Sequence, residues 1–322
     1  MKQVVLISGI LGSGASYLAE YIVKNHPEVE IHGIARWHST TNQDNLSNIR
    51  KKVNVHECDL LDLASILRIV RKVKPTKVFN LASHANVRVS FDTPLAVLNN
   101  NIFSTANLLE SMRLESPEAI FQQCSTSEVH GRPLYNPIDE NHPLDPCNPY
   151  AISKLTQEKL ALCYSNSWGI PVITTRAFAY INPRRRDLVA SAWAYQVARI
   201  EAGKQDVLNI GNIESIRSFI DVRDIAEAYW IASEKCDIGQ IYNVGGGQAL
   251  MVGMLLQILK FKSRVPIVAI EDKKLLRPTD ITNQVPDISK FYNKTGWTQK
   301  ISLDESMDWL LNHMREVVKN EL

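Results

Sequence analysis

The sequence predicts an α/β fold in which a doubly wound parallel sheet carries helices on both faces. Two observations favour it in the first half of the chain. Short runs rich in β-branched and aromatic residues alternate with stretches of helical period, and a glycine-rich turn follows the first of these runs. This alternation is typical of parallel strands joined by crossover helices. The pattern loosens after Arg176, which indicates a smaller C-terminal region of different construction.

The individual elements follow from hydrophobic spacing, taken in chain order. β-rich runs predict strands at Val4–Ile7, Glu30–Ala35, Val78–Leu81, Ala119–Cys124 and Val172–Arg176, with a further strand just before Asp59. Apolar residues at helical spacing predict helices at Ser16–Lys24, Leu61–Val73, Pro94–Arg113 and Tyr150–Ser167. Polar segments around Asn182–Asp187 and Glu271–Pro286 predict loops, as expected of a region built from insertions.

Composition excludes several classes of protein. The 322 residues are 45% hydrophobic and 22% charged, which is typical of a soluble globular chain of one or two domains. The 36 Lys and Arg residues nearly balance 34 Asp and Glu residues, so nucleic acid is not an expected partner. Five irregularly spaced cysteines predict neither a metal site nor a disulfide framework, and they favour a cytoplasmic protein with reduced thiols.

Neither a targeting segment nor a membrane span is expected. The chain passes directly into its first strand at Val4, which leaves no room for a signal peptide. The uncharged stretch Ile238–Leu259 is long enough to raise the question of a membrane. It contains three consecutive glycines and several side-chain amides, so a buried strand, a turn and a core helix fit it better.

The glycine-rich turn between the first strand and the first helix predicts a dinucleotide site. Residues 8–16 read Ser-Gly-Ile-Leu-Gly-Ser-Gly-Ala-Ser. Glycines here let the backbone approach a pyrophosphate, and the free N–H groups at the helix start favour its charge. The required strand–turn–helix context is present, so we predict a Rossmann-type cofactor site. The candidate residues are Gly9, Gly12, Ser13, Gly14 and Ala15.

The end of the second predicted strand favours NADP, with NAD as the alternative. Dinucleotide-binding folds often carry an acid there for the adenosine ribose of NAD, but this sequence has Arg36 and no acid nearby. A guanidinium pairs well with the extra 2′-phosphate of NADP. Asp59 is a candidate for contact with the adenine amine, and the adjoining Leu60 is a further candidate for cofactor binding. The segment Leu81-Ala82-Ser83 ends the next strand beside the expected nicotinamide path.

Two segments supply a candidate chemical centre. Thr126 and Glu128 follow a predicted strand, at the carboxyl edge of the sheet where ligands bind in such folds. Tyr150 and Lys154 are four residues apart on a predicted helix and therefore share a face. A nearby ammonium lowers the pKa of a tyrosine, which would let Tyr150 act as a general base near neutral pH.

These motifs resemble the extended short-chain dehydrogenase/reductase family, in the branch that contains GDP-mannose 4,6-dehydratase and GDP-6-deoxy-mannose reductase. The segments similar to the dehydratase are residues 9–12, 16–20, 32–34, 89–91 and 125–128. Residues 211–213 with Arg217, 221–224, 277–280 and 296–297 resemble the reductase more closely. The resemblance implies a Rossmann-type domain over 1–176, to which 205–247 return in part, and a mainly nucleotide-sugar-binding region over 177–322.

The resemblance also implies roles for the candidate residues. Tyr150 would take the C4 hydroxyl proton of a sugar while hydride passes to the nicotinamide, and Lys154 would hold the nicotinamide ribose. Thr126 would bond to the C4 oxygen, and in a dehydratase Glu128 would remove the C5 proton before water leaves from C6. In a reductase Tyr150 would donate a proton to a 4-keto sugar. A C4 epimerase and a non-catalytic nucleotide sensor are further alternatives.

The implied substrate is a nucleotide-diphosphate sugar, GDP-mannose or a relative of it. Residues expected to bind it are His84, Ser90, Arg184, Arg185, Arg217, Arg277 and Asp280. The helices Pro94–Arg113 and Tyr150–Ser167 resemble the pair that forms the family's dimer interface, so a homodimer or homotetramer is expected. Departures from the family pattern at Ser104, His130, Ala179, Trp193 and Ser218 leave the sugar and the base open.

Overall fold

The computed structural model describes residues 3–36, 43–276 and 281–321. Its strands are β1 (Val4–Ser8), β2 (Glu30–Ala35), β3 (Val53–Glu57), β4 (Lys77–Asn80), β5 (Ile120–Thr126), β6 (Val172–Ala177), β7 (Tyr180–Ile181), β8 (Leu208–Ile210), β9 (Ile216–Ser218), β10 (Ile220–Asp221), β11 (Ile241–Val244), β12 (Ala249–Met251), β13 (Ala269–Glu271) and β14 (Asn283–Gln284). Its α-helices are α1 (Ser13–Asn25), α2 (Leu63–Val73), α3 (Val87–Asp92), α4 (Pro94–Glu115), α5 (Pro149–Trp168), α6 (Val189–Glu201), α7 (Val222–Lys235), α8 (Gly253–Lys262), α9 (Ser289–Thr295) and α10 (Leu303–Lys319).

Seven strands form one parallel sheet in the order β11-β6-β5-β4-β1-β2-β3. Alternate residues of β1 enter separate cores, since Val5 packs with α1 and α7 while Leu6 packs with α2, α4 and α5. Helices therefore cover both faces, and the predicted doubly wound α/β class is confirmed. In such a sheet the carboxyl ends of the strands meet at one edge, which is where ligands bind.

A third core joins the C-terminal elements. Helices α6, α8 and α10 pack together through buried side chains that include Trp193, Leu255 and Leu310. The uncharged stretch Ile238–Leu259 forms β11, a turn, β12 and the first part of α8, and its buried side chains include Tyr242, Val244 and Leu255. Among the described helices, none is both long and apolar enough to cross a bilayer.

Helix boundaries differ from the predicted ones where capping decides them. Helix α2 begins at Leu63 because the Asp62 side chain accepts the backbone N–H groups of Ala64 and Ser65. Helix α3 was not predicted. It spans only six residues, too few for a helical period to appear, and it is capped by Asn86, whose side chain accepts the N–H of Val89 at 3.0 Å.

Candidate functional site

A cleft of about 1870 Å³ opens at the carboxyl edge of the central sheet. The glycine-rich turn forms one wall, the ends of β5 and β6 form the floor, and the segment after β7 forms another wall. The cleft is lined by most of the residues predicted from the sequence, namely Gly9, Gly12, Ser13, Gly14, Ala15, Leu81, Ser83, Thr126, Glu128, Tyr150, Lys154, Arg184, Arg185 and Arg217.

The geometry of the glycine-rich turn suits a pyrophosphate. Gly9 has a φ of +66°, and a Cβ there would lie 3.0 Å from the Cα of Ala82. Gly12 is the N-cap of α1, and no side chain caps this helix. The first turn of α1 therefore presents backbone N–H groups and the positive end of the helix dipole to the cleft.

A smaller cavity of about 170 Å³ adjoins this turn at the ends of β2 and β3. The side chain of Arg36 is exposed at its rim. Ser83 lines both cavities, and its buried Oγ has no hydrogen-bond partner among the described residues. An orphaned hydroxyl beside a glycine cradle fits a dinucleotide, which would supply the missing partner. Also in the lining are Asp59, Leu60, Leu81, Ala82 and Ser104.

His84 lies in the smaller cavity with Arg36, whereas the sequence analysis placed it with the substrate. Two hydrogen bonds with Asn101 account for this position of His84. The Asn101 side chain accepts the backbone N–H of His84 at 2.7 Å and donates to its carbonyl, which fixes this loop against α4. Burial and, secondarily, the charge of Arg36 lower the pKa of the imidazole.

Helix α5 places Tyr150 and Lys154 side by side in the cleft, and both are buried. Lys154 Nζ donates a 2.5 Å hydrogen bond to the Cys124 carbonyl at the end of β5. Burial lowers the pKa of Lys154 to about 8, and the Glu158 carboxylate opposes that shift.

The pKa of Tyr150 differs from the sequence expectation. Burial raises it above its ordinary value, and the neighbouring Tyr180 raises it further. Arg185 and a hydrogen bond with Thr126 act in the opposite direction but do not outweigh burial. Burial is therefore the largest influence on this pKa, and the expected lowering by Lys154 does not dominate.

Glu128 lies one short turn beyond β5, in the 3-10 helix Ser127–His130. Its Oε2 accepts a 2.9 Å hydrogen bond from Asn148 Nδ2, and Asn148 is also the N-cap residue of α5. The backbone N–H of Glu128 donates to Thr126 Oγ1 at 3.3 Å. The two segments predicted to carry chemistry are thus linked directly.

A buried ionic network beneath the cleft was not predicted from the sequence. Arg176 on β6 donates two hydrogen bonds to Glu158 on α5, at 3.1 and 2.8 Å, and both side chains are almost fully enclosed. Ser125 Oγ donates to the same carboxylate at 2.5 Å. The network joins β5, β6 and α5 behind the candidate chemical centre. No local sequence pattern marks this pairing, because Arg176 and Glu158 lie 18 residues apart on different elements.

Arg184 and Arg185 point in different directions, although both were expected to bind substrate. Arg184 reaches α1, where it donates to Ser16 Oγ at 2.9 Å and pairs with Glu20 at 2.6 Å. Arg185 pairs with the nearby Asp187. Although burial lowers the pKa of Arg185, this pairing raises it overall.

The other residues expected to bind substrate have varied positions. Arg217 lies on β9 in the cleft, with its guanidinium donating to the carbonyls of Ile216 and Ile281. Ser90 is fully buried, donates to the Val87 carbonyl at 2.6 Å and is not part of the cleft lining. Arg277 and Asp280 lie outside the described residues.

The positions that depart from the family pattern lie in two different environments. Ala179 and Trp193 line the main cleft, where side-chain size and polarity bear on a bound sugar. Ser218 and His130 are fully buried and are not part of that lining. Within the described ranges, no group of three or more His, Cys, Asp or Glu side chains is arranged to hold a metal ion.

Comparison with protein families identifies one match along most of the chain. The model of a family described as GDP-mannose 4,6 dehydratase matches residues 6–309. The GDP-mannose 4,6-dehydratase of Yersinia enterocolitica is 27% identical, with 95% of this chain and 91% of the relative covered. The GDP-mannose 4,6 dehydratase 1 of Arabidopsis thaliana is 29% identical, with coverage of 99% and 92%.

The chain is also similar to a reductase and to two solved structures. The GDP-6-deoxy-D-mannose reductase of Pseudomonas aeruginosa is 30% identical over 271 residues, covering 83% of this chain and 88% of the relative. Among solved structures, RMD from Pseudomonas aeruginosa in complex with NADPH aligns with a TM-score of 0.84 and 25% identity, over 98% of this chain and 99% of the other. A UDP-glucuronic acid 4-epimerase from Bacillus cereus, at 22% identity and a TM-score of 0.87, shares the fold over 98% and 100%.

Proposed function

Because the chain belongs to the GDP-mannose 4,6-dehydratase family, we propose that it is a nucleotide-sugar 4,6-dehydratase. The proposed substrate is GDP-mannose or a closely related sugar, and the proposed cofactor is a tightly held NADP. One observation carries the proposal: Thr126, Glu128, Tyr150 and Lys154 line a single cleft, with Glu128 bonded to the residue that caps α5. In this combination Tyr150 is the base for the C4 hydroxyl proton, and Glu128 is the base for the C5 proton.

In this proposal Tyr150 takes the proton of the C4 hydroxyl, and Thr126 donates a hydrogen bond to the C4 oxygen. A bound nicotinamide would supply the hydride acceptor for C4 and the hydride donor for C6, so that it would be regenerated in each turnover. Lys154 holds the nicotinamide ribose. Oxidation at C4 acidifies the C5 proton, which Glu128 removes and passes to the departing C6 hydroxyl, so that one water is lost. Hydride addition at C6 is balanced by a proton that C5 takes from solvent, and Tyr150 releases the C4 hydroxyl proton to solvent before the next turnover.

The binding residues follow the two cavities. Gly12, Ser13 and Gly14 receive the cofactor pyrophosphate on the uncapped end of α1, and Ser83 Oγ supplies a further hydrogen bond. Arg36 selects NADP over NAD through the 2′-phosphate. Arg217 faces the diphosphate of the sugar nucleotide, with Arg277 and Asp280 as further candidates.

The test is incubation with GDP-mannose and no added NADPH. The expected result is loss of one water from the sugar with no net consumption of cofactor. Inertness toward GDP-mannose, together with stoichiometric oxidation of NADPH by a 4-keto sugar, would overturn the proposal. In Glu128→Gln we expect C5 hydrogen exchange with solvent to be abolished while cofactor binding is retained. Unchanged exchange would exclude Glu128 as the base.

A 4-keto-6-deoxy nucleotide-sugar reductase is the second candidate. It is favoured by the 30% identity to the reductase of Pseudomonas aeruginosa and by the C-terminal segments that resemble that enzyme. In such an enzyme Tyr150 gives its proton to the reduced C4 oxygen, and the reaction ends after one hydride transfer. Glu128 then has no proton to remove, so the Glu128→Gln variant separates the two candidates.

We propose that the protein acts in the cytoplasm as a homodimer or homotetramer built on α4 and α5. Five large apolar side chains on these helices are exposed, namely Leu95 at 79%, Phe103 at 56%, Leu114 at 51%, Trp168 at 50% and Ile152 at 44%. Burial of such residues in a partner is a common reason for their exposure in one chain. Sedimentation tests this, because a monomer at every concentration would contradict it.

A further inference from the structure

Helix α7 brings to the cleft a buried tyrosine that was not among the predicted site residues. Tyr229 is 6% exposed, and it belongs to the core on the α1 and α7 face of the central sheet, which also contains Cys124 and Ala177. Those two residues lie on β5 and β6, whose ends form the floor of the cleft. Tyr229 lines the cleft as well, so its side chain extends from this core to the carboxyl edge of the sheet.

The hydroxyl of Tyr229 has no hydrogen-bond partner in the described part of the chain. Burial raises its pKa well above the ordinary value, and Cys124, Tyr180 and Tyr150 raise it further. The phenol therefore stays neutral in the physiological pH range. An enclosed tyrosine hydroxyl usually bonds to a polar group, and a neutral group fits this position because burying a charge beside the phenol would cost far more.

Tyr229 and Tyr150 reach the same edge from opposite faces of the sheet. Helix α7 packs with α1 on one face, whereas α5 packs with α4 on the other. Both tyrosines line the cleft, and Lys154 follows Tyr150 by one turn of α5. Tyr150 is also one of the groups that raise the pKa of Tyr229, so the two phenols are neighbours. A group bound across the ends of β5 and β6 therefore has Tyr150 and Lys154 on one side and Tyr229 on the other.

The nicotinamide of the cofactor is the group that fits this position. In the proposed function hydride leaves the same sugar carbon whose hydroxyl proton passes to Tyr150, so the hydride acceptor has to bind beside Tyr150. The ring carries a neutral carboxamide, and a phenolic hydroxyl can donate to its oxygen or accept from its N–H groups. We propose that Tyr229 hydrogen-bonds the nicotinamide carboxamide and thereby fixes the rotation of the ring. The inference rests on the proposed function because it requires a nicotinamide beside Tyr150, a requirement that the dehydratase and the reductase share.

The same core offers a test variant and a matched control. Tyr229→Phe removes only the hydroxyl, because the ring remains to fill the core. Tyr242→Phe is the control. Tyr242 is a buried tyrosine of that core, it lies on β11 outside the cleft lining, and its hydroxyl donates to Asp237 at 3.2 Å. Each variant loses one phenolic hydroxyl, and the two differ in whether that hydroxyl faces the cleft.

The experiment compares NADPH with 2′-phospho-ADP-ribose, which is the same dinucleotide without its nicotinamide. NADPH is bound to the full chain in the absence of sugar, and the fragment is added until the fluorescence of bound NADPH is lost. Because one neutral hydrogen bond to NADPH alone is removed, we expect the fragment to displace it at about fivefold lower concentration in Tyr229→Phe than in the parent chain. The Tyr242→Phe control should stay within about twofold of the parent chain. A chain that binds only NADH is tested in the same way with NADH and ADP-ribose.

An unchanged displacing concentration in Tyr229→Phe would overturn the inference, because a contact with the sugar alters neither ligand and a merely structural effect weakens both equally. An equal change in Tyr242→Phe would overturn it too. If Tyr229→Phe fails to fold, as judged by near-ultraviolet circular dichroism, Tyr229→Met removes the same hydroxyl and decides alone. The proposed function is tested separately with GDP-mannose. A chain that shows the expected change but is inert toward GDP-mannose has the nicotinamide contact without the dehydratase activity.

Discussion

Asn148 connects the two halves of the candidate site, since it caps helix α5 and also donates a 2.9 Å hydrogen bond to Glu128. Its Oδ1 accepts the N–H of Ala151 while its Nδ2 faces the carboxylate. One side chain therefore fixes both the start of the helix that carries Tyr150 and the orientation of the proposed C5 base.

Two substitutions of Asn148 separate these roles. Asn148→Ser retains a capping hydroxyl but is too short to reach Glu128, so stability should be kept and turnover should fall by about tenfold or more. Asn148→Ala loses both functions and should also lower the free energy of unfolding by about 1 kcal/mol. Urea denaturation and dehydration rates measure the two effects. Full activity in Asn148→Ser would show that Glu128 does not need the hydrogen bond from Asn148.

Lys154 predicts an alkaline limb in the pH profile. Burial places its pKa at about 8, so the ammonium loses its proton as the pH rises through that value. The cation that holds the ribose is then lost, and kcat/KM should decline. Arginine stays charged throughout this range, so Lys154→Arg should have lower activity without that decline. An alkaline limb with the same midpoint in Lys154→Arg would exclude Lys154 as its source.

His130 predicts a loss of stability in acid. Burial lowers its pKa from 6.5 to about 3, so between these values the unfolded chain binds a proton that the folded chain does not. The free energy of unfolding therefore rises with pH in this interval and falls as the pH drops below 6.5. The loss should be about 3 kcal/mol by pH 4. Thermal unfolding of His130→Phe should show a weaker pH dependence, and an unchanged dependence would contradict the prediction.

The buried pair of Arg176 and Glu158 predicts strong non-additivity. Arg176→Met leaves the Glu158 carboxylate buried without its partner, which should cost about 3–5 kcal/mol of unfolding free energy. Adding Glu158→Leu removes that uncompensated charge and should recover a large part of the loss. Guanidinium denaturation of both single variants and the double variant completes the cycle. Simple addition of the two single effects would mean that the pair does not act as a unit.

The position of Arg36 predicts that the protein prefers NADP to NAD. Its guanidinium lies at the rim of the smaller cavity, so Arg36→Ala should weaken NADP binding by about tenfold and leave NAD binding nearly unchanged. Fluorescence titration with NADPH and NADH measures both affinities. Arg50→Ala, at another exposed position, serves as the control. Equal losses for both cofactors would assign Arg36 to some other part of the dinucleotide.

The features that could be predicted from the sequence are those that depend on residues close together in the chain. Tyr150 and Lys154 share a face because the helical period fixes that spacing, and the glycine-rich turn is recognisable from its place between a strand and a helix. The directions of Arg184 and Arg185 could not be predicted in this way. They are set by Glu20 and Ala85, which are distant in the sequence and come close only once the sheet has formed.

The same reasoning applies to the buried ionic network. Arg176 ends a run that reads as an ordinary buried strand, and Glu158 lies on a helix with polar residues on several sides. The sequence around neither residue predicts that it forms a buried ion pair. Their pairing depends on the placement of α5 against β5 and β6, which is a property of tertiary packing.

The last strand of the sheet has a consequence for biosynthesis. Strand β6 pairs on one side with β5 and on the other with β11, and the chain passes through β7 to β10, α6 and α7 before β11 is reached. While the ribosome adds these residues, the outer edge of β6 exposes unpaired backbone groups in a nearly complete sheet. Such an edge can pair with a neighbouring nascent chain. Slow translation between Ala177 and Ile241 should therefore favour aggregation of the newly made protein.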